Sequence, residues 1–221
     1  MSSSNESKLF LMKHDIWPLF SCPVFATKLT ITQSNLNTYI KELNKLKYQK
    51  SNFQDSKISL ISKEYFLLNK PKFKILKKSI IEALKYYNNT YLKYKANFKM
   101  TTSWVAKTPS NSSSAVHNHS NNFFSGVYYL QAPKDCGNIQ FNNMNAGQIQ
   151  IPQVEESTIW NANQFHFVPQ PNVLLFFPSW AYHQILENNS GKDRLSIAFN
   201  FLPCSSFGYQ DSQIDFSPLQ Y

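Results

Sequence analysis

The 221-residue sequence predicts a mainly β, α+β chain, a double-sheet jelly roll with N-terminal helices packed on one outer face. Three observations predict it. Residues 1–98 contain two stretches whose apolar residues recur at helical spacing. After Ala96 the texture changes to short aromatic and β-branched runs. Eight such runs follow one another, separated by Asn, Gly, Ser and Pro.

In chain order, a Trp17-Pro18 turn precedes a strand over 23–31, where apolar and polar residues alternate. Asn35 is the predicted cap of a helix whose apolar face runs through Leu36, Tyr39, Ile40, Leu43 and Leu46. Residues 51–62 read as a polar loop. A second helix starts near Pro71 and buries Phe73, Leu76, Ile80, Ile81, Leu84, Tyr87 and Tyr91. Strands are expected at 99–107, 123–130, 137–141, 148–151, 164–168, 173–178, 182–187 and 194–202. The expected organisation is a single domain over 1–221. Residues 1–98 supply the N-terminal strand and support helices, 99–203 the jelly-roll core and 204–221 a C-terminal tail.

Composition excludes several classes. With 42% hydrophobic and 15% aromatic residues the chain buries a real core and is not a disordered protein. Its longest apolar run, Val173 to Phe177, is far short of the roughly 18 residues of a membrane span. The polar N-terminus, Met1 to Lys8, has no apolar signal-peptide stretch, so a cytoplasmic protein is expected. Cys22, Cys136 and Cys204 are too far apart for a paired zinc site or a disulfide framework. The net charge of +9 is uneven, since residues 1–100 hold 18 Lys against 6 acids. No base-reading motif accompanies those lysines. They read as solvated helix faces, and nucleic acid is not expected as a partner.

Of the 22 basic residues, only Arg194 is Arg. A guanidinium differs from an ammonium in gripping a carboxylate or phosphate through two parallel hydrogen bonds. In the strand it opens, Arg194, Ser196, Ala198 and Asn200 share one face, while Leu195, Ile197, Phe199 and Phe201 share the other. Such a strand reads as the wall of a polar cavity. His117-Asn118-His119 lies just before the strand at 123–130, where two imidazoles can project to one side and share a metal. His183 opens another strand, eleven residues before Arg194. An imidazole-bound metal near an anion-gripping Arg implies a metal-chelating, carboxylate-bearing cofactor. His14 and His166 read as structural or surface residues, Tyr128, Phe177 and Trp180 as packing, and Gly126 and Pro178 as backbone geometry.

The order of these residues resembles the Fe(II)- and 2-oxoglutarate-dependent oxygenases. Within them, Trp104, His117-Asn118-His119, Ser125-Gly126-Val127-Tyr128-Tyr129-Leu130, Phe177-Pro178-Ser179-Trp180 with His183, and Arg194 to Asn200 are similar to a 2OG-Fe(II) oxygenase family of marine bacteria and their phages. Pro18 to Val24 resembles that family's N-terminal strand, so the likeness covers nearly the whole chain. It implies a cupin-like double-stranded β-helix and a dioxygenase with Fe(II) as cofactor and 2-oxoglutarate as cosubstrate. The reaction implied consumes O2, releases succinate and CO2 and by default hydroxylates the substrate. Carried over to this sequence, His117 and His183 are the implied iron ligands, and Arg194, supported by Ser196, grips the far carboxylate of 2-oxoglutarate. Tyr129 stands where related prolyl hydroxylases place a tyrosine hydroxyl on that carboxylate. Alternation puts Ser125, Val127 and Tyr129 on one face.

The sequence departs from the superfamily's usual His-x-Asp in having His119 as the second member. The preferred ligand set is His117, His119 and His183, with no catalytic residue beyond the metal ligands. Two other sets stay open: His117 and His183 with water, or His119 with Asn121 in the acid's position. Two other functions also stay open. A non-catalytic jelly-roll binding or phage structural module would have no use for the distal His and Arg194, and a divalent-metal hydrolase gives no reason for Arg194-Leu195-Ser196. Substrate, oligomeric state and the choice between hydroxylation and another oxidative outcome are not encoded in any motif. The Asn- and Gln-rich stretch 142–163 is expected to border the entrance.

Overall fold

Two antiparallel sheets face each other in the computed structural model, which describes residue 17 and residues 21–51, 59–143 and 153–215. The strands are β1 (Phe25–Lys28), β2 (Tyr48–Lys50), β3 (Leu60–Ser62), β4 (Phe98–Thr108), β5 (Phe124–Gln131), β6 (Ile139–Asn142), β7 (Gln164–Phe167), β8 (Val173–Pro178), β9 (His183–Ile185) and β10 (Arg194–Pro203). Seven of them form the larger sheet in the order β1-β8-β5-β10-β4-β3-β2, and β7-β6-β9 form the smaller one. From β5 onward the chain crosses between the sheets at β5 to β6, β7 to β8, β8 to β9 and β9 to β10, as in a double-stranded β-helix. The free edge of β9 pairs with the backbone of His117, whose N–H and C=O both bond to His183, at 2.9 and 2.8 Å.

Alternation along the central strands separates two apolar layers. Val105, Phe124, Tyr128, Leu130, Leu174, Phe176, Ile197, Phe199 and Phe201 point to one face of the larger sheet and pack on the helices. Val127, Tyr129, Leu175 and Phe177 point to the other and meet Ile139, Phe141 and Ala181 between the sheets. Gly126 lets the outer layer close. A Cβ there would stand 2.4 Å from the Phe199 ring and 2.5 Å from the Leu175 carbonyl oxygen.

Helices α1 (Gln33–Leu43) and α2 (Lys74–Tyr87) cover that outer layer through Leu36, Tyr39, Leu43, Leu76, Ile80, Leu84 and Tyr87. The cap of α1 is Thr32 rather than Asn35: the Thr32 hydroxyl accepts the Asn35 N–H at 3.2 Å, so the helix begins two residues before Asn35. Pro71–Phe73 is a 3-10 turn that leads into α2. Beyond Tyr87 the chain winds into a π turn, Asn88–Leu92, which Lys93 ends at φ 59°. The wider turn rotates Tyr91 off the 3.6-residue face, and it is 63% exposed instead of buried.

Other elements differ in extent. The first strand is four residues long rather than nine, and the segment read as a polar loop ends in β3, which pairs with β4 and with the edge strand β2 just before that segment. Their Gln, Lys and Ser residues carry no apolar alternation because only part of each strand is covered. The expected strand at 148–151, residues 18–20 of the N-terminal resemblance and His14 lie outside the described residues. Among the described residues no helix is long and apolar enough to cross a membrane.

Candidate metal and anion site

His117 and His183 are fixed by the backbone ladder between them, and His119 by its N–H, which donates to the Ser179 carbonyl at 2.9 Å. The three rings converge between the sheets. Their centroids are 4.4 Å (His117 and His183), 5.1 Å (His119 and His183) and 5.3 Å (His117 and His119) apart. One ring nitrogen from each can be chosen so that all lie within 4.8 Å of one another. Nδ1 of His117 lies 2.9 Å from the Ala115 carbonyl, and Nδ1 of His183 the same distance from that of Ala181. With Nδ1–H donating to a carbonyl, Nε2 keeps its lone pair for a metal.

Trp104, Phe141 and Phe177 surround the cluster. Burial disfavours the imidazolium form of all three rings, and proximity to the neighbouring histidines adds to this at His119 and His183. His117 is pushed below the ordinary histidine value, His119 down to about 4 and His183 down to about 3. At neutral pH the site therefore presents three uncharged imidazoles, the protonation state that ligates divalent metals.

Arg194 is buried at the start of β10. One terminal nitrogen donates to the Gly137 carbonyl at 2.9 Å, and the guanidinium lies 4.9 Å over the Tyr129 ring. Its Nε has no partner, and neither does the buried Tyr129 hydroxyl beside it. Among the described residues no carboxylate forms an ion pair with Arg194. A buried cation without a counter-charge is costly unless an anion completes it, so this end of the site is built to accept one. Gly137, at φ 83°, holds the carbonyl in place. A Cβ at this position would come within 2.1 Å of the Leu186 oxygen.

One cavity of about 330 Å³ reaches both groups, touching His117, His119, His183 and Arg194. The sequence-expected residues His117, His119, His183 and Arg194 thus line one cavity, while Tyr129 lies behind Arg194 and is not among the lining residues. Ser196 lines the same cavity, but its hydroxyl turns to the Ala106 carbonyl at 3.3 Å and makes no bond to Arg194. Asn121 occupies a left-handed turn at φ 62° and does not reach the cavity wall. His166 sits exposed on β7, opposite Gln140.

Sequence reasoning missed two features. Gly137 was legible only as a glycine. Ser125, Ser179 and Asn200 were each noticed in separate motifs, but their union in one buried hydrogen-bonded chain was not. The Ser125 and Ser179 hydroxyls are 2.8 Å apart, and Ser125 donates to Asn200 Oδ1 at 2.7 Å.

Residues 102–200 match the protein family described as "Putative 2OG-Fe(II) oxygenase". Solved structures share the fold. An oxidoreductase of the 2OG-Fe(II) oxygenase family from Burkholderia pseudomallei superposes with a TM-score of 0.59 at 11% identity, over 81% of this chain and 84% of that one. A prolyl-4-hydroxylase from Pseudomonas putida gives 0.57 at 14% identity, over 83% and 94%. HygX from Streptomyces hygroscopicus, with nickel, 2-oxoglutarate and hygromycin B bound, gives 0.59 at 11% identity, over 82% and 83%. No curated protein sequence matches the chain.

Proposed function

Residues 102–200 carry the domain of the 2OG-Fe(II) oxygenase family, and on that premise we propose that the chain is an Fe(II)- and 2-oxoglutarate-dependent dioxygenase that hydroxylates an organic substrate. The observation that carries this reading is one cavity shared by three clustered histidines and a buried arginine whose Nε has no partner. His117, His119 and His183 would hold the iron. Arg194 and the Tyr129 hydroxyl would hold the far carboxylate of 2-oxoglutarate, supplying donors to an anion where each now has a buried polar atom without a partner. When bound, the metal and cosubstrate supply the oxidative chemistry, in which O2 converts 2-oxoglutarate to succinate and CO2 and leaves an oxygen atom on a substrate C–H bond.

The protein's own work is positioning and exclusion of water. The Ala115 and Ala181 carbonyls hold the His117 and His183 tautomers, so neither imidazole is free to rotate away from the cavity. Three imidazoles bring no negative charge, which leaves the cosubstrate carboxylates to balance the metal. Phe141, Phe177 and Trp104 pack against the cluster and restrict the approach of water to it. A hydrolase using the same histidines would leave Arg194 and Tyr129 without a role.

The test is succinate release from 2-oxoglutarate by purified protein with and without added Fe(II). Anaerobic absorption is recorded in parallel for the weak visible charge-transfer band of chelated 2-oxoglutarate. Iron-dependent succinate and the band are expected in wild type, and both are lost in His183→Ala. Iron-loaded protein that neither consumes 2-oxoglutarate nor shows the band would overturn the reading.

A further inference from the structure

The chain Ser179–Ser125–Asn200 continues to the cavity wall, where Asn200 Nδ2 donates to the Thr102 hydroxyl oxygen at 3.1 Å. Thr102 lines the cavity, whereas Ser125 and Ser179 are buried away from solvent. Each hydroxyl has one proton to give, so the direction of the chain can be worked out. Ser125 gives its proton to Asn200 Oδ1 and must accept from Ser179. The Asn200 amide then faces Thr102 with its NH2 group, and the Thr102 oxygen is occupied as an acceptor. Its own proton is left over. Reversing the amide would strand a proton at Ser179, in the interior, instead of at Thr102, beside the cavity.

Register places this donor at the far end of the site. Thr102 pairs with Asn200, Trp104 with Ala198 and Ala106 with Ser196, while Arg194 pairs with Thr108. Six residues of extended strand put Thr102 about 20 Å from Arg194 along β10. His119 lies against Trp104, between the two ends, with ring centroids 5.7 Å apart. A cosubstrate anchored on Arg194 and directed at the histidines leaves the Thr102 end to the substrate. Arg194 is the only Lys, Arg, Asp or Glu among the described lining residues.

Resting on the oxygenase reading, we propose that Thr102 determines specificity, its hydroxyl donating to an acceptor oxygen on an uncharged substrate group. Ser179, Ser125 and Asn200 are positioning residues that set the direction of that donor. Against the described lining, the substrate portion at the Thr102 end is accordingly a neutral carbonyl, amide or alcohol.

The experiment offers protein holding Fe(II) and 2-oxoglutarate a panel of small neutral amides, ketones and alcohols. Their hydrocarbon isosteres and carboxylates and amines of the same size are included. Binding is read anaerobically by ligand-observed NMR, and turnover in air by succinate release. Neutral acceptor-bearing compounds are expected to bind and stimulate succinate release. The near-isosteric Thr102→Val is expected to raise their KM roughly tenfold or more, leave the weaker hydrocarbon binding unaltered and keep the charge-transfer band, and Thr102→Ser to restore KM. Preference for charged compounds, silence of every neutral one, or an unchanged KM in Thr102→Val would overturn the inference while the band and iron-dependent succinate still stood. Their absence in wild type would remove the oxygenase reading and this inference with it.

Discussion

The guanidinium of Arg194 lies 4.9 Å over the ring of Tyr129, and each residue keeps a buried polar atom unpartnered beside the other. Cation and ring attract, but the unpartnered Nε and hydroxyl leave the pair incomplete.

Arg194→Lys keeps the charge and loses the fork. Affinity for 2-oxoglutarate is expected to fall by about 1.5 to 3 kcal/mol, roughly ten- to a hundredfold, while iron binding survives. Tyr129→Phe removes one donor and is expected to cost about 0.5 to 1.5 kcal/mol. Titration of 2-oxoglutarate into each variant, beside thermal unfolding, separates a lost ligand contact from a general loss of stability. Equal affinities in wild type and Arg194→Lys would assign the arginine to structure alone.

Gly137→Ala tests the same pocket through the backbone. The added Cβ meets the Leu186 oxygen at 2.1 Å, so the carbonyl that holds Arg194 has to move. Weaker 2-oxoglutarate binding is expected together with a lower Tm. A variant with a lower Tm and wild-type affinity would show that the Gly137 carbonyl does not aim the guanidinium.

Gly126→Ala should act on stability first. Its Cβ would overlap the Phe199 ring and the Leu175 oxygen in the outer layer, an overpacking expected to cost about 1 to 3 kcal/mol in denaturant unfolding. Stability equal to wild type would mean that Phe199 can repack.

A pH dependence is expected at the surface of the helical layer. Glu42 accepts from Lys72 at 2.7 Å and Lys45 at 2.9 Å, and these two hydrogen bonds hold its carboxyl at about 2. The folded value lies below the unfolded one, so the contribution is present above about pH 4.5 and is lost as pH falls toward 2. Glu42→Gln should therefore be less stable than wild type at neutral pH and converge with it in acid. The group is exposed, so the difference should shrink in high salt. A gap between the two proteins that persists at pH 2 would show that Glu42 acts through packing.

Much of the site was legible because its signals are local. Period-two alternation in β10 puts Arg194, Ser196 and Ala198 on the cavity side and Ile197, Phe199 and Phe201 on the helix side. The spacing of His117 and His119 was enough to put both imidazoles on one side. The cap of α1 shows where local reading slips: Thr32 and Asn35 are both good capping residues, and only the observed hydrogen bond selects Thr32. The π turn after Tyr87 likewise moved Tyr91 to the surface without any periodic signal.

By itself the sequence determined which residues are apolar, which strands alternate and which side chains can bind a metal or an anion, because these depend on residue type and on neighbours a few positions away. Only the tertiary structure decided how those faces meet. Pairing His117 with His183, Ser125 with Ser179 and Asn200 with Thr102 depends on strand register across gaps of dozens of residues. That register is set by burying the two apolar layers together, since a slip of one residue would turn every cavity side chain into the core.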